Sequence, residues 1–115
     1  MPKWKIDYYD VPSGRKPVEE FIKNLPEKPR SRVYYTLELL EELGVNLGLP
    51  RAKKVTGTPL WELRILGENS LRFFYVAKIG QTFLLLHGFS KKKQKTPRKE
   101  IKIALERLKE YRKRP

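Results

Sequence analysis

The chain has 115 residues, contains no cysteine, and carries 26 lysines and arginines against 13 acidic residues. Its length suits one compact domain with one core, spanning residues 1–115. Disulfides and thiolate metal sites are excluded because cysteine is absent. The sequence has no apolar run of the roughly 18 residues that span a bilayer and no apolar leader after Met1. We therefore expect a cytoplasmic protein that does not span a membrane.

The net charge of +13 predicts a polyanionic partner, either nucleic acid or an anionic membrane surface. This charge is concentrated near the end of the chain. Residues 90–115 include twelve basic and three acidic residues, so nine of the thirteen net positive charges lie there. The alternative explanation is a solvated helix followed by a frayed tail.

The first part of the chain predicts one strand and two helices. Residues 3–10, KWKIDYYD, alternate apolar and polar side chains as a strand does. A short helix begins at Pro17, because proline suits the first helical position. A second helix has Pro29 in its first turn and stops at Gly44. These two helices are predicted to form a hairpin.

The middle of the chain predicts a loop and then three strands. Residues 45–59 include four glycines and prolines, so they are interpreted as a loop, which carries Lys53 and Lys54. Three strand-like runs follow: LWELRIL, SLRFFYVAK and QTFLLLHGF. Their connections, GEN and IG, are short enough for hairpins, so these strands should be antiparallel neighbours.

The last segment predicts a helix that begins at Pro97, with Thr96 as its N-cap. The predicted order is therefore strand, helix, helix, three strands, helix (β-α-α-β-β-β-α). We expect an α+β domain in which a two-helix hairpin and a C-terminal helix pack on a small, mostly antiparallel, four-stranded sheet.

Arg64 and Arg72 are predicted to lie near each other on one face of this sheet. Side chains alternate across a strand, so both arginines should point away from the helical core, toward an open face. A lysine loop begins where the third of these strands ends: Lys91, Lys92, Lys93 and Lys95. Together they would form a basic surface, on which arginine offers phosphate two donors and lysine a mobile charge. The alternative is that Arg64 pairs with Glu62 or Glu68 and Arg72 is merely solvated.

Such a cationic site can cleave RNA. The ribose 2′-hydroxyl is the nucleophile, so the protein needs only a base, an acid and a stabiliser of the phosphorane charge. Arginines suit the stabilising role, and crowded cations can lower the pKa of a lysine toward that of a base. His87, the only histidine, is a candidate acid or base, with a structural role as the alternative. Without cysteine or a histidine pair, we expect neither a metal site nor a cofactor.

The runs PLWELRI, LRFFYV and LLLHGFSKKKQKTPRKEIKIALER resemble the phage-derived, HigB-like branch of the RelE/ParE superfamily of type II toxin–antitoxin toxins. The most specific pattern is F-x-K-K-x-x-K-T-P-x-x-E-I-x-x-A, from Phe89 to Ala104. The resemblance implies a RelE-like fold and a metal-independent endoribonuclease that cleaves mRNA, in many members on the ribosome, leaving a cyclic phosphate. It also implies a protein antitoxin, usually a separate HigA-like helix-turn-helix protein.

Carried over by position, the resemblance assigns Arg64 and Arg72 to phosphate binding. It matches Lys91 and Lys92 to basic residues after the last central strand and, more loosely, Lys54 to a lysine before the second strand. We predict catalytic roles for four residues: Arg64, Arg72, Lys92 and His87. We predict RNA contacts from six others: Lys53, Lys54, Lys91, Lys93, Lys95 and Arg98.

The chain departs from the superfamily where a late tyrosine or a C-terminal histidine often acts as acid or base. Pro97 or Arg98 stands nearest that tyrosine here, and Tyr111 is too far along the helix to replace it easily, so the general base stays unassigned. Two other functions stay open, because fold alone does not separate them. One is inhibition of DNA gyrase, as in the ParE branch. The other is RNA binding without catalysis.

Overall fold

The computed structural model describes residues 3–68, 70–91 and 97–115. The predicted site residues Lys92, Lys93 and Lys95, and the predicted cap Thr96, lie outside these ranges. The elements, in chain order, are β1 (Lys5–Tyr8), α1 (Pro17–Lys23), α2 (Glu27–Leu43), β2 (Ala52–Lys54), β3 (Trp61–Arg64), β4 (Leu71–Lys78), β5 (Thr82–Ser90) and α3 (Arg98–Arg112). The α+β class and the order of the predicted elements are confirmed.

The described strands form one sheet with the order β1-β5-β4-β3-β2. Strands β2 to β5 are sequential antiparallel neighbours, whereas β1 pairs with β5 in parallel. The sheet is mostly antiparallel, as predicted, but it has five strands rather than four. The extra strand, β2, is three residues long and lies inside the segment predicted to be a loop. Three residues are too few to show an alternation of apolar and polar side chains, and glycines and prolines flank them. The sequence pattern therefore did not predict this strand.

Gly44 ends α2 where the chain must turn back toward the sheet. Its φ is +57°, in the region that favours glycine. A side chain there would also meet the indole of Trp4, because a Cβ atom would lie 2.4 Å from Trp4 Nε1. Trp4 in turn stacks on Phe83, with ring centroids 4.3 Å apart. The predicted helix stop therefore also makes room for β1 to approach α2.

Helices cover both faces of the sheet. Helices α1 and α2 pack on one face, where residues such as Leu63 and Phe73 are fully buried. Helix α3 packs on the other face, against residues such as Phe74 and Leu84. The prediction that Arg64 and Arg72 point away from the core of α1 and α2 holds. The prediction that their face is open was wrong, because α3 covers much of it with an apolar stripe that includes Ala104 and Leu108.

A β-bulge in β5 changes which residues face α3. Phe74 pairs with His87 but Tyr75 pairs with Leu85, so Leu86 is an extra residue on β5. Leu86 belongs to the core beneath α3, and His87 contacts α3 as well. The next residue, Gly88, points to the other face, where a Cβ atom would lie 2.6 Å from a ring carbon of Phe73. The bulge therefore turns His87 toward the arginine face, where strict alternation after Leu86 would not place it.

Candidate functional site

Arg64 and Arg72 are direct partners in the register of β3 and β4. The two side chains are 30% and 13% exposed, so the pair lies at the surface without being fully solvated. Like charges placed directly opposite each other on a sheet repel. This pair therefore needs an anion beside it, either from the protein or from a ligand.

Glu62 is a protein anion at this position. Its side chain is only 6% exposed, and its Oε1 atom accepts a hydrogen bond of 3.1 Å from Nε of Arg64. The same oxygen lies 3.7 Å from Nε of Arg72. The pairing of Arg64 with Glu62, considered above as an alternative to phosphate binding, is thus present. Glu68 has a different neighbour, since it lies 3.9 Å from Nε of Arg32.

Arg72 is held more firmly than an exposed strand residue would be. Its Nη1 donates a hydrogen bond of 2.9 Å to the carbonyl of Leu71. Burial lowers the pKa of Arg72, Glu62 opposes this effect, and the charge of Arg64 adds to it. A guanidinium nevertheless stays protonated in proteins. Arg72 is therefore a fixed, partly desolvated cation, which interacts more strongly with an anion than a solvated one does.

His87 links β5 to α3 through both ring nitrogens. Nε2 lies 3.0 Å from Oε1 of Glu100, and Nδ1 lies 3.3 Å from Nη1 of Arg107. Because a guanidinium only donates, Nδ1 must be the acceptor, and Nε2 carries the proton that is donated to Glu100. Arg107 also donates to the carbonyl of Leu86 at 2.8 Å. The contacts define one neutral tautomer of His87.

The pKa of His87 agrees with this tautomer. Its side chain is 12% exposed, and burial lowers the pKa below the ordinary value of 6.5, while the hydrogen bond to Glu100 acts in the opposite direction. A second proton on Nδ1 would also face the positive charge of Arg107. The His87 ring stacks on Phe89, with centroids 5.5 Å apart, and Phe89 pairs with Arg72. His87 therefore supports the residue next to Arg72, while its own nitrogens are engaged within the protein.

The structure separates Lys53 from Lys54, which were both predicted to contact RNA. Lys53 pairs with Glu62, so it shares the face of the arginine pair. Lys54 pairs with Trp61 on the opposite face, where its Nζ lies 5.8 Å from the centre of a Trp61 ring and donates to the carbonyl of Thr58. Both side chains are exposed. The structure thus brings Lys53, but not Lys54, to the arginine face.

Lys91 follows β5 directly, and its backbone N–H donates to the carbonyl of Ser70, two residues before Arg72. Lys91 therefore begins the lysine segment beside the arginine pair. Arg98 is the first residue of α3 and is exposed. It lines a shallow groove along that helix with Lys102, Lys109 and other residues. The predicted contact at Arg98 would thus extend the basic surface along α3.

Sequence reasoning did not find the roles of Glu100 and Arg107. Both residues lie on α3, and they reach His87 only because α3 packs on the arginine face and the bulge turns His87 toward it. Glu100 was part of the family pattern, which was the one available signal.

Among the described residues, no group of three His, Cys, Asp or Glu side chains could hold a metal ion. Within the same ranges, none of the helices combines the length and apolar character needed to cross a membrane.

A family comparison identifies the protein class. The family of phage-derived Gp49-like proteins (DUF891) matches residues 20–109, which include the arginine pair, Glu62, His87 and Glu100. The chain belongs to this family. Gp49-like proteins are a family of RelE-like toxins, and membership implies a toxin of the toxin–antitoxin type with an antitoxin as partner. A search of curated proteins gives no match.

Proposed function

We propose that this Gp49-like protein is a HigB-like type II toxin that cleaves mRNA on the ribosome as a metal-independent endoribonuclease. The observation that carries the proposal is the pairing of Arg64 with Arg72 on adjacent strands. Two guanidiniums on a rigid sheet, in a chain of net charge +13, suit the binding of an RNA phosphate. The same cations would stabilise the extra negative charge of a phosphorane formed by attack of the 2′-hydroxyl.

The other residues of the arginine face have supporting roles in this proposal. Lys53 and Lys91 extend the positive surface on two sides and would contact neighbouring phosphates. His87 fixes β5 against α3, because its two nitrogens are engaged by Glu100 and Arg107. Lys92 stays a predicted catalytic residue, and Lys93, Lys95 and Arg98 stay predicted RNA contacts. The acid and the base are not assigned to particular atoms.

A cell-free translation reaction tests this proposal. Purified protein is added during translation of a defined message, and primer extension maps new 5′ ends. We expect cleavage within the open reading frame that leaves 2′,3′-cyclic phosphate ends, the product of attack by the 2′-hydroxyl. A parallel reaction on the same message without ribosomes measures ribosome dependence. Inhibited gyrase supercoiling with intact message would instead support a ParE-like function, and RNA binding without new ends would support a non-catalytic module.

The antitoxin should act on the same surface. We propose a helix-turn-helix partner that places an acidic or amphipathic segment over the arginine face or displaces α3. This predicts that RNA and antitoxin compete for the toxin in a binding assay. A complex that still binds RNA with unchanged affinity would contradict inhibition by masking.

A further inference from the structure

We propose that Glu62 is a positioning residue that acts as an internal substitute for phosphate. In the absence of RNA its carboxylate holds the two guanidiniums of Arg64 and Arg72 together, and it competes with a phosphate that binds them. The consequence for cleavage rests on the proposed function, whereas the consequence for phosphate binding does not.

The position of Glu62 in the sheet supports this role. Glu62 lies two residues before Arg64 on β3 and diagonally opposite Arg72 on β4, so all three side chains share one face. A single oxygen, Oε1, approaches the Nε atoms of both arginines, at 3.1 and 3.7 Å. A carboxylate offers guanidinium the same kind of planar acceptor pair as two phosphate oxygens do. Glu62 therefore makes in the protein the type of contact that a phosphate would make.

Burial makes this contact stronger than a surface ion pair. The Glu62 side chain is 6% exposed, whereas Arg64 is 30% exposed. Glu62 thus approaches the arginines from the protein side, while Arg64 remains accessible from solvent. A phosphate that arrives from solvent meets guanidiniums whose Nε atoms already face an anion, and it is repelled by that anion at short range.

Two opposite effects follow from this arrangement. The negative charge of Glu62 weakens the binding of phosphate in the ground state. Its contacts also hold the guanidinium groups of Arg64 and Arg72 in fixed orientations, although the two groups would otherwise repel each other. Fixed guanidiniums are better placed to stabilise the charge that develops on the phosphate in the transition state. Loss of the charge of Glu62 should therefore tighten RNA binding and slow cleavage. A side chain that only stabilised the fold would not produce tighter binding.

The test uses Glu62→Gln in the full-length chain, with Glu68→Gln as a matched control. Both variants lose one negative charge near the β3–β4 connection, but Glu68 contacts Arg32 rather than the arginine pair. The probe for binding is a 2′-O-methyl RNA oligonucleotide, which cannot be cleaved. We expect Glu62→Gln to lower the Kd on the order of tenfold and Glu68→Gln to change it by about twofold or less. In the translation assay, cleavage by Glu62→Gln should be at least about tenfold slower.

Two further measurements keep the proposal testable if Glu62→Gln folds poorly. Glu62→Asp keeps the charge but withdraws it from the arginines, so it should retain near wild-type affinity and cleave more slowly. In the wild-type protein, titration with inorganic phosphate should shift the NMR signals of the Nε–H groups of Arg64 and Arg72 more than that of Arg32.

Several outcomes would overturn the role of Glu62. One is an affinity gain by Glu62→Gln no larger than that of Glu68→Gln. Another is tighter binding with unchanged cleavage, and a third is phosphate binding that leaves both Nε–H signals unshifted. Absence of cleavage by the wild-type protein would contradict the proposed function, but the binding comparison would still decide whether Glu62 competes with phosphate.

Discussion

The two faces of strands β3 and β4 differ in what their side chains do. Toward α1 and α2, the residues are apolar along the whole strand pair and buried over most of it, as Leu63 and Phe73 illustrate, whereas Trp61 and Ala77 are exposed. Toward α3, β4 carries the buried apolar residues Phe74 and Val76, whereas the charged group of Glu62, Arg64 and Arg72 lies at the end of the strand pair nearest the β3–β4 connection. Both faces therefore contain buried apolar residues, and the candidate chemistry occupies part of the face toward α3.

Helix α3 contacts different kinds of residue along its length. Near its C-terminus, Arg114 pairs with Asp10 and Glu110, and Glu110 accepts a hydrogen bond from Tyr9. Near its N-terminus, Glu100 contacts His87. The helix is thus attached at both ends, with its apolar stripe between them. Helix α3 therefore contributes to the core through its middle and to the candidate site through its N-terminal turn.

The largest effect should come from the apolar face. Phe73 is 0% exposed and packs edge-to-face on Phe21, with ring centroids 5.9 Å apart. Phe73→Ala should lower the free energy of unfolding by about 3–5 kcal/mol, because it leaves a cavity in the larger core. Urea denaturation measures this loss. A loss below about 1 kcal/mol would show that this face does not carry the stability of the sheet.

The preceding residue on β4, Arg72, tests the other face. Arg72→Ala should lose about 2–4 kcal/mol of transition-state stabilisation, or on the order of a hundredfold in cleavage rate, since a donor to developing charge is removed. Its partial burial predicts some loss of stability as well, though less than for Phe73→Ala. Arg72→Lys should restore only part of the rate, because lysine supplies the charge without the two-pronged donor. Unchanged cleavage by a folded Arg72→Ala would mean that the active site lies elsewhere.

Much of the difference between the two faces of β3 and β4 could be predicted from the sequence, because the alternation of side chains along a strand is a local property. The shared face of Arg64 and Arg72 follows from Trp61, Leu63, Leu71 and Phe73 alone. The covering of that face by α3 could not be predicted, since it depends on packing between distant segments. Nothing in QTFLLLHGF marks the bulge at Leu86, because the run from Phe83 to Leu86 is apolar throughout and has no alternation that a bulge could interrupt.

Neighbouring lysines on β2 provide a finer test of the two faces. Lys53 shares the face of Glu62, whereas Lys54 lies over Trp61 on the opposite face. If about five lysines and arginines contact phosphates, log affinity for single-stranded RNA should fall with log salt at a slope of roughly −3.5. Lys53→Ala should reduce the magnitude of this slope by about 0.7, while Lys54→Ala should leave it unchanged. Equal slopes for the two variants would contradict the separation, and a wild-type slope near zero would contradict the basic surface.

The smallest effect should be the pH dependence contributed by His87. Burial lowers its pKa below 6.5 in the folded protein, so the unfolded chain binds the proton more readily than the folded one. The stability that the neutral ring contributes is thus complete above about pH 6.5 and is lost as the pH falls through the folded-state pKa. His87→Gln removes this titration and leaves the carboxylates in place. The stability difference between wild type and His87→Gln should be larger at pH 7.5 than at pH 5, as measured by urea midpoints.

A difference that grows toward pH 5 would instead mean that a charged His87 pairs with Glu100. If His87→Gln remained stable but lost as much cleavage as Arg72→Ala, His87 would be the acid or base after all.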